Sequence, residues 1–377
     1  MNWKQCKNIL CIRPDNMGDL IMSGPAIRAL KESFGANITV LTSSMAADIV
    51  KHIPEIDDVI IYDLPWVKTA ETPNTDDFKK VVAEVRDRQF DAAVIFTVYS
   101  QNPLPTAMLA YLAGIPKILA YCRENPYHLI TDWVPDKEPY SFIKHQVERD
   151  LNLVRSVGAE TNDHKLSLTV NNSLWFSVSK KLYDTGIDTG KAWLIAHAGV
   201  SEIKRQYPNK LWTSAIKKLV NERGYQVLLT GSKPEKKLTD ELQQLAGEGS
   251  FSIAGMFSID EFICLVKHAP LLVSVNTGTI HIAAAVGTPV VVLYAQTNPQ
   301  HTPWQVPSIV LPFPVAAPYR SKNEVIAYVN QTVYSKPCSV PDADDIIKAI
   351  DSLINLQGLP IQPFREIPNQ NQATAAS

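Results

Sequence analysis

The chain has 377 residues, of which 45% are hydrophobic and 20% are charged, and its formal net charge is -2. This length suffices for two domains with separate cores, and the charge provides no overall basic field of the kind that favours nucleic acid as a partner. Five widely spaced cysteines without a C-x-x-C pair give no disulfide or zinc signature. The N-terminus is polar, and no run approaches the roughly 20 apolar residues of a membrane span. We therefore expect a cytoplasmic protein whose contact with the inner membrane is at most peripheral.

The first half alternates apolar runs with amphipathic patterns. Strands are predicted over 8–13, 37–42, 58–62, 91–97 and 117–121. Helices are predicted over 25–34, 44–51, 76–88 and 104–113. Repeated β-α-β units of this kind predict an α/β fold with a parallel sheet and helices on both faces.

The same order restarts after a polar stretch. Helices are predicted over 172–186, 209–223, 234–246, 258–268, 279–286 and 342–356. Strands are predicted over 192–197, 225–230, 250–254, 271–275 and 289–294. The irregular stretch 121–149 and the proline-rich segment 303–341 are assigned to no element. We predict one domain over 1–170, a second over 171–357, and a disordered polar tail over 358–377.

Polar residues follow one strand of the second half and precede a helix of small residues. Ligands of doubly wound sheets bind outside the carboxyl ends of the strands, and a helix N-terminus offers N–H groups and a positive dipole end to an anion. Here Asn276 leads into Thr277, Gly278 and Thr279, which would bind a phosphate, and His281 would add a donor or a positive charge. The alternatives are an ordinary turn with a helix cap and a structural histidine.

The loop 198–208 supplies a second phosphate candidate. Lys204 and Arg205 follow a turn that contains Ser201, directly after a strand. The alternative is a solvated basic pair before a helix. No G-x-G-x-x-G follows the first strand and no G-x-x-x-x-G-K-[ST] occurs, which disfavours a dinucleotide fold and a P-loop NTPase.

An acid, Asp19, stands in the turn after the first strand. It would serve as a general base or as a helix cap. Met22 occupies the position of a capping-box glutamate, and Ser23-Gly24-Pro25 offers a separate helix start. We therefore favour a reactive carboxylate.

Two blocks, ILCIRPDNMGDLIMSGPAIRALKESF and VSVNTGTIHIAAAVGTPVVVLYAQTNP, resemble the two signatures of glycosyltransferase family 9, the lipopolysaccharide heptosyltransferases. The similarity covers roughly residues 8–355. It implies a GT-B fold, in which two Rossmann-like domains face each other across a cleft. It further implies an acceptor-binding N-terminal domain and a nucleotide-sugar-binding C-terminal domain. The implied reaction is inverting, metal-independent transfer of a heptose or related sugar from an ADP-activated donor to a lipopolysaccharide-core or other cell-envelope glycan. The resemblance implies a nucleotide-sugar co-substrate, ADP-heptose, and no cofactor beyond it.

The resemblance assigns roles to individual positions. Asp19 matches the catalytic acid position and Lys204 a donor-phosphate lysine. The predicted donor-binding set is Ser201, Lys204, Met256, Phe257, Asn276, Thr277, Gly278, Thr279 and His281. The predicted acceptor-binding set is Arg13, Gly18, Arg123 and Lys144. The chain departs from the family where Asn276 replaces the usual Asp and where Ala295 replaces a common glycine.

The sequence leaves two other functions open and predicts no metal site. A nucleotide-sugar epimerase also uses paired Rossmann domains, but no further acid/base set is apparent in the sequence. A catalytically silent nucleotide-sugar-binding protein is suggested by Asn276 alone. The acidic pairs Asp57-Asp58 and Asp76-Asp77 and the cluster over 342–345 are typical of helix caps and solvated faces, so no metal site is predicted.

Overall fold

The computed structural model describes residues 2–68, 74–355 and 367–368. The chain divides into two compact units, the first running to Ser167 and the second starting at Leu168. The short strand Ile367–Pro368 belongs to the first unit. The rest of the predicted tail, 358–377, lies outside the described residues.

The first unit is built on a parallel sheet that has six strands within the described residues. The strands are β1 (Asn8–Arg13), β2 (Asn37–Thr42), β3 (Asp58–Ile61), β4 (Ala92–Ile95), β5 (Ile118–Cys122) and β6 (Asp132–Pro135). The helices are α1 (Met17–Phe34), α2 (Ala47–Val50), α3 (Thr75–Asp87), α4 (Leu104–Leu112) and α5 (Gln146–Arg155). A further short strand, β7 (Phe142–Ile143), pairs antiparallel with Ile367–Pro368.

The strand order is β3-β2-β1-β4-β5-β6. The direction of winding reverses between β1 and β4, and such a reversal opens a ligand-binding crevice at the carboxyl ends of the strands. The turn that follows β1 therefore lies at the switch point of this sheet.

The second unit repeats this plan. Its strands are β8 (Trp193–His197), β9 (Gln226–Thr230), β10 (Ser250–Ser252), β11 (Leu272–Val275), β12 (Val290–Ala295) and β13 (Ser308–Phe313). Its helices are α6 (Trp175–Asp184), α7 (Asn209–Arg223), α8 (Lys236–Ala246), α9 (Ile259–His268), α10 (Gly278–Val286), α11 (Glu324–Thr332) and α12 (Ala343–Asn355). The parallel order is β10-β9-β8-β11-β12-β13, so the switch point lies between the loops that follow β8 and β11.

Two stretches without a predicted element are structured. The stretch 121–149 contains β6 and the start of α5, and the segment 303–341 contains β13 and α11. In β13, exposed and half-buried residues alternate, as in an edge strand that is covered on one side only. Both stretches therefore extend the edges of the two sheets.

The start of α1 differs from the sequence prediction. The helix begins at Met17 instead of residue 25, and Pro25 lies inside it. Most of α1 is buried on every side, including its polar residues Ser23 and Arg28. A helix covered in this way shows no single apolar face, so periodicity alone does not find its first two turns.

Candidate active site

In the first unit, Asp19 lies in the first turn of α1 beside the end of β1. Its Oδ1 accepts a hydrogen bond from Arg13 Nη2 at 3.0 Å. Its Oδ2 accepts from the backbone N–H of Asn16, the N-cap residue, at 3.4 Å. The positive end of the helix dipole favours the ionised form of a carboxylate at this place. The site thus holds a fixed, largely buried carboxylate whose side chain is 12% exposed.

The capping role that the sequence argument set aside is therefore present. Asn16 caps α1, and Asp19 occupies the third helical position, as the acid of a capping box does. Ser23-Gly24-Pro25 is helix interior and supplies no separate start. The expectation that the helix starts at Ser23-Gly24-Pro25, so that Asp19 is not needed as a cap, was wrong. Asp19 both takes part in the capping box and forms an ion pair with Arg13.

Arg13 is fully buried and lies between two carboxylates. Its Nε is 3.2 Å from Asp15 Oδ2, and Gln101 Nε2 donates to Asp15 Oδ1 at 2.6 Å. Burial raises the pKa of Asp15 to about 6, with Arg13 opposing the rise and the charge of Asp19 adding to it. Arg13 has no exposed surface and holds Asp19 in place, and its acceptor-binding role stays a prediction.

A third buried carboxylate, that of Asp150, lies between α1 and α5. Asp150 accepts from Ser23 Oγ at 2.7 Å and from Gln146 Nε2 at 2.8 Å. Burial raises the pKa of Asp150 to about 6, and Arg13 opposes the rise. Sequence reasoning missed Asp150 because its helix was not predicted.

The other predicted acceptor residues are spread over the unit. Gly18 is buried in the first turn of α1. The Arg123 guanidinium donates to the Tyr99 carbonyl oxygen and, at 2.5 Å, to that of Glu138. Lys144 Nζ lies 5.2 Å from the centre of the Phe142 ring. Acceptor binding by Gly18, Arg123 and Lys144 stays a prediction.

In the second unit, the loops after β8 and β11 meet at the switch point. Lys204 and Arg205 lie in a single helical turn, Ile203–Arg205. Glu202 Oε2 is 3.1 Å from Lys204 Nζ and 3.3 Å from Arg205 Nη2. Arg205 Nη1 donates to the Asn276 carbonyl oxygen at 3.4 Å. The basic pair and the start of α10 are therefore brought together, as predicted for a phosphate site.

The N-terminus of α10 has polar atoms available for a ligand. Thr277 is the N-cap residue, and its hydroxyl makes no capping hydrogen bond. Thr277 Oγ1 and Arg205 Nε are buried and have no hydrogen-bond partner in the part of the chain that the structure describes. The first N–H groups of an α-helix also lack intrahelical partners. Thr279 and His281 are buried in the first turn. This arrangement suits an anion.

Asn276 is held by the neighbouring strand. Its Oδ1 accepts from the Ala295 N–H at 3.1 Å, and its Nδ2 donates to the Ala295 carbonyl oxygen at 3.3 Å and to Thr297 Oγ1 at 3.1 Å. Both ends of the amide are thus used to join the ends of β11 and β12. An aspartate at 276 would place a carboxylate oxygen against the Ala295 carbonyl oxygen, and two acceptors cannot form a hydrogen bond. This contact is a structural reason for Asn at this position.

The remaining predicted donor residues lie in loops at the carboxyl ends of strands. Ser201 is exposed in the loop after β8, and Met256 and Phe257 are half-buried after β10. Lys181 Nζ lies 5.6 Å from the centre of the Phe257 ring. Their positions are compatible with a nucleotide site, and their roles stay predictions.

One acid at this edge was missed. Glu235 follows β9 and accepts from Ser232 N–H at 2.7 Å and Ser232 Oγ at 2.8 Å. A Cβ built on Gly199 would lie 2.1 Å from Glu235 Oε1, so a larger residue at 199 would require the Glu235 carboxylate to shift. Burial lowers the pKa of His197, and the charge of Glu235 opposes the fall. The S-x-x-E spacing is typical of a helix cap and gave no separate signal for a site.

Across residues 2–68 and 74–355, no group of three or more His, Cys, Asp or Glu residues is arranged to hold a metal ion. In the same part of the chain, no helix has the length and apolar character needed to cross a membrane.

Comparisons with known proteins agree with this geometry. Residues 78–337 match the family model described as glycosyltransferase family 9 (heptosyltransferase). Lipooligosaccharide heptosyltransferase 2 of Haemophilus influenzae is 26% identical over 78% of this chain and 85% of its own length. Lipopolysaccharide heptosyltransferase 2 of Escherichia coli is 26% identical over 78% and 84%.

Solved structures show the same fold. The family 9 glycosyltransferase of Veillonella parvula superposes with a TM-score of 0.73, at 16% identity, over 93% of this chain and 97% of its own. The Escherichia coli heptosyltransferase WaaC, solved with ADP, superposes with a TM-score of 0.63, at 17% identity, over 92% and 99%. The predicted GT-B fold is thereby confirmed. This chain belongs to glycosyltransferase family 9 (heptosyltransferase), and it is a glycosyltransferase.

Proposed function

We propose that the protein transfers a heptose, or a related sugar, from an ADP-activated donor to a lipopolysaccharide-core or other cell-envelope glycan acceptor, with inversion and without a required metal. The names of its relatives support the sugar and the acceptor class, and the ADP in the Escherichia coli structure supports the nucleotide. The observation that carries the proposal is the cationic, hydrogen-bonding cluster at the start of α10, because an activated sugar is recognised through its diphosphate.

The donor diphosphate would bind at this cluster. Lys204 and Arg205 supply positive charge, and the N–H groups of Gly278 and Thr279 supply donors at the positive end of α10. The hydroxyl of Thr277, which lacks a partner among the described residues, would donate to a phosphate oxygen. Negative charge develops on the diphosphate as its bond to the anomeric carbon breaks, so donors fixed in advance stabilise the transition state.

Asp19 would act as the base for the acceptor. In an inverting transfer, the acceptor oxygen forms a bond to the anomeric carbon while the bond to the diphosphate breaks. The hydroxyl proton passes to Asp19, and the ADP leaves with the negative charge. Asp19 is suited to this step because Arg13 and the start of α1 fix its position, and a base must lie within about 3 Å of the proton it takes.

The acceptor side and the location of the reaction are proposed on more general grounds. A phosphorylated glycolipid would be bound by basic residues such as Arg123 and Lys144. We place the reaction in the cytoplasm, with peripheral contact to the inner membrane where a lipid-linked acceptor is presented. Binding of the purified protein to acceptor-loaded vesicles, and its loss in the double variant Arg123→Gln, Lys144→Gln, would test this part.

A transfer assay tests the function as a whole. The purified protein is incubated with ADP-, GDP- and UDP-activated sugars and with truncated core glycolipids, and products are identified by mass spectrometry. We expect a glycolipid heavier by one heptose with ADP-heptose, and an anomeric configuration opposite to that of the donor by NMR. Retention of configuration, or transfer from UDP or GDP donors only, would contradict the proposal.

A further inference from the structure

Glu202, an acid in the loop 198–208, lies where it can influence the affinity for the donor and for the nucleotide product. Glu202 immediately precedes the turn that carries Lys204 and Arg205, and its backbone carbonyl accepts from the Arg205 N–H at 2.9 Å. This turn folds the Glu202 side chain back onto both cations, with one carboxylate oxygen 3.1 Å from Lys204 Nζ and 3.3 Å from Arg205 Nη2. A single carboxylate oxygen thus faces the two charges that the proposed function assigns to the diphosphate.

The triad of Glu202, Lys204 and Arg205 is connected to the start of α10. Arg205 also donates to the Asn276 carbonyl oxygen, one residue before the N-cap of α10. The oxygen of Glu202 is therefore tied to the anion-binding end of that helix. Among the surface pairs of this unit, Lys180 with Asp184 contains one acid and one cation, whereas Glu202 is shared by two.

We infer that Glu202 is a built-in competitor of the diphosphate: it pairs with Lys204 and Arg205 in this structure and must release them when a nucleoside diphosphate binds. This inference rests on the proposed function of the two cations. The Glu202 side chain is 23% exposed, so water can receive the carboxylate when it leaves. Partly exposed ion pairs contribute little, and a diphosphate with several negative charges displaces such a partner.

The competition has a direct consequence for binding. The free energy needed to break the ion pairs of Glu202 offsets part of the attraction between the cations and the diphosphate. The displaced carboxylate then repels the bound anion. Replacing Glu202 by Gln keeps the size of the side chain and removes both effects. Partly exposed ion pairs are weak, so losing the two pairs predicts a modest gain, about threefold to tenfold tighter binding, which corresponds to about 0.7 to 1.4 kcal/mol.

The test measures ADP binding to Glu202→Gln and to the unaltered protein by isothermal titration calorimetry, at low and high salt. We expect ADP to bind about threefold to tenfold more tightly to the variant, with a smaller difference at high salt. The KM for the donor should fall by a similar factor, while the KM for the acceptor stays the same. Asp184→Asn, which removes one charge from a surface pair of the same unit, is the matched control and should leave ADP affinity unchanged.

Two further variants keep the result interpretable. In the double variant Glu202→Gln, Lys204→Met, the gain in affinity should shrink, because one of the released cations is gone. Glu202→Ala, compared by thermal denaturation, separates a folding defect from a binding effect. Unchanged or weaker ADP binding by a folded Glu202→Gln variant overturns the inference.

The proposed function fails in a different way. If the unaltered protein binds neither ADP nor ADP-heptose, the donor assignment is wrong. Titrations with GDP and UDP then decide separately about Glu202: tighter binding of either by the variant retains its role as a competitor, and equal binding removes it.

Discussion

At the scale of single residues, Asp19 performs two structural tasks besides its proposed chemistry. It pairs with Arg13 and accepts the Asn16 N–H at the start of α1. Asn at this position retains a carbonyl oxygen for one of these bonds but cannot take a proton. For Asp19→Asn we expect the transfer rate to fall by a factor of about 100 or more, with ADP affinity unchanged and a small loss in thermal stability.

The measurements are kcat with a fixed donor, the dissociation constant for ADP, and the melting temperature. Asp63→Asn is the matched control, because Asp63 also caps a helical turn by accepting from the Ser44 N–H at 2.8 Å. It should retain near-normal transfer. A folded Asp19→Asn variant with near-normal turnover would remove Asp19 from the catalytic role.

Asp150 leads to a different prediction: whereas Asp19→Asn should lower stability slightly, Asp150→Asn should raise it. Burial raises its pKa from the ordinary 3.8 to about 6. The folded state therefore binds more protons than the unfolded state between about pH 4 and 6, and the free energy of unfolding falls as the pH rises through this window. The ionised group costs the folded protein about 3 kcal/mol at neutral pH.

Asn fits this place, because its oxygen accepts from Gln146 and its amide donates to Ser23 Oγ. For Asp150→Asn we expect an increase of about 1–3 kcal/mol in the free energy of unfolding at pH 7 and a weaker fall between pH 4 and 6. Some of the fall should remain, because Asp15 titrates in the same window. Chemical denaturation from pH 4 to 8 measures both effects.

Asp57 provides a control, because its pKa is shifted in the opposite direction to that of Asp150. Burial opposes ionisation there, but hydrogen bonds from Lys31 and the Ile38 N–H prevail and lower the pKa of Asp57. Its contribution is present at neutral pH and is lost as the pH falls, so Asp57→Asn should lower stability at pH 7. An Asp150→Asn variant that is also less stable at pH 7 would show that its ion interactions outweigh its burial.

At the scale of elements, Asn276 joins two strands, and this gives a third prediction. Its Nδ2 donates to Ala295 and Thr297, and its Oδ1 accepts from the Ala295 N–H. For Asn276→Asp we expect a loss of about 1–3 kcal/mol, the cost of leaving a buried acceptor unsatisfied. Donor affinity should fall as well, because the added charge lies beside the start of α10.

Denaturation and ADP titration of Asn276→Asp check this expectation, and Asn276→Ser shows the effect of losing the amide without adding charge. An Asp variant as stable as the unaltered protein would mean that Thr297 alone accommodates the carboxylate, and that the Asn is not required by β12.

The element scale also shows what the sequence could predict. Strands β1 and β2 and helix α7 were predicted with the bounds observed, because a buried apolar run or an amphipathic pattern marks each. The first two turns of α1 were missed, since every face of this helix is covered and Pro25 suggested a start. The positions of the loops after β8 and β11 were predicted because strand ends and a helix of small residues mark them; phosphate binding there stays a prediction. Glu202 and Asp150 required side-chain positions that no local pattern provides.

At the scale of the whole molecule, two sheets with the same order place a polar loop at each switch point. The repeated β-α-β pattern was sufficient to predict this layout. The assignment of the chemistry to these loops stays a prediction. The edges were not predicted, because the edge strands β6 and β13 are exposed on one side and lack the continuous apolar run of a central parallel strand.

The last prediction concerns metal dependence of the complete enzyme. Many transfer reactions of nucleotide sugars need a divalent cation to neutralise the leaving diphosphate. Here Lys204 and Arg205, once released from Glu202, bring two positive charges to the same place, and the start of α10 adds about half a charge. We therefore expect the transfer rate to stay within about twofold of its initial value after exhaustive chelation with EDTA and removal of the chelator.

Magnesium, manganese and iron are then added back singly to the chelated enzyme, with bound metal followed by elemental analysis. Lys204→Met is assayed in parallel, because loss of this charge should slow transfer in chelated enzyme far more than chelation slows the unaltered protein. Loss of transfer on chelation, with recovery on adding one of the metals, would show that the two side chains and the helix N-terminus do not supply sufficient charge for the leaving group.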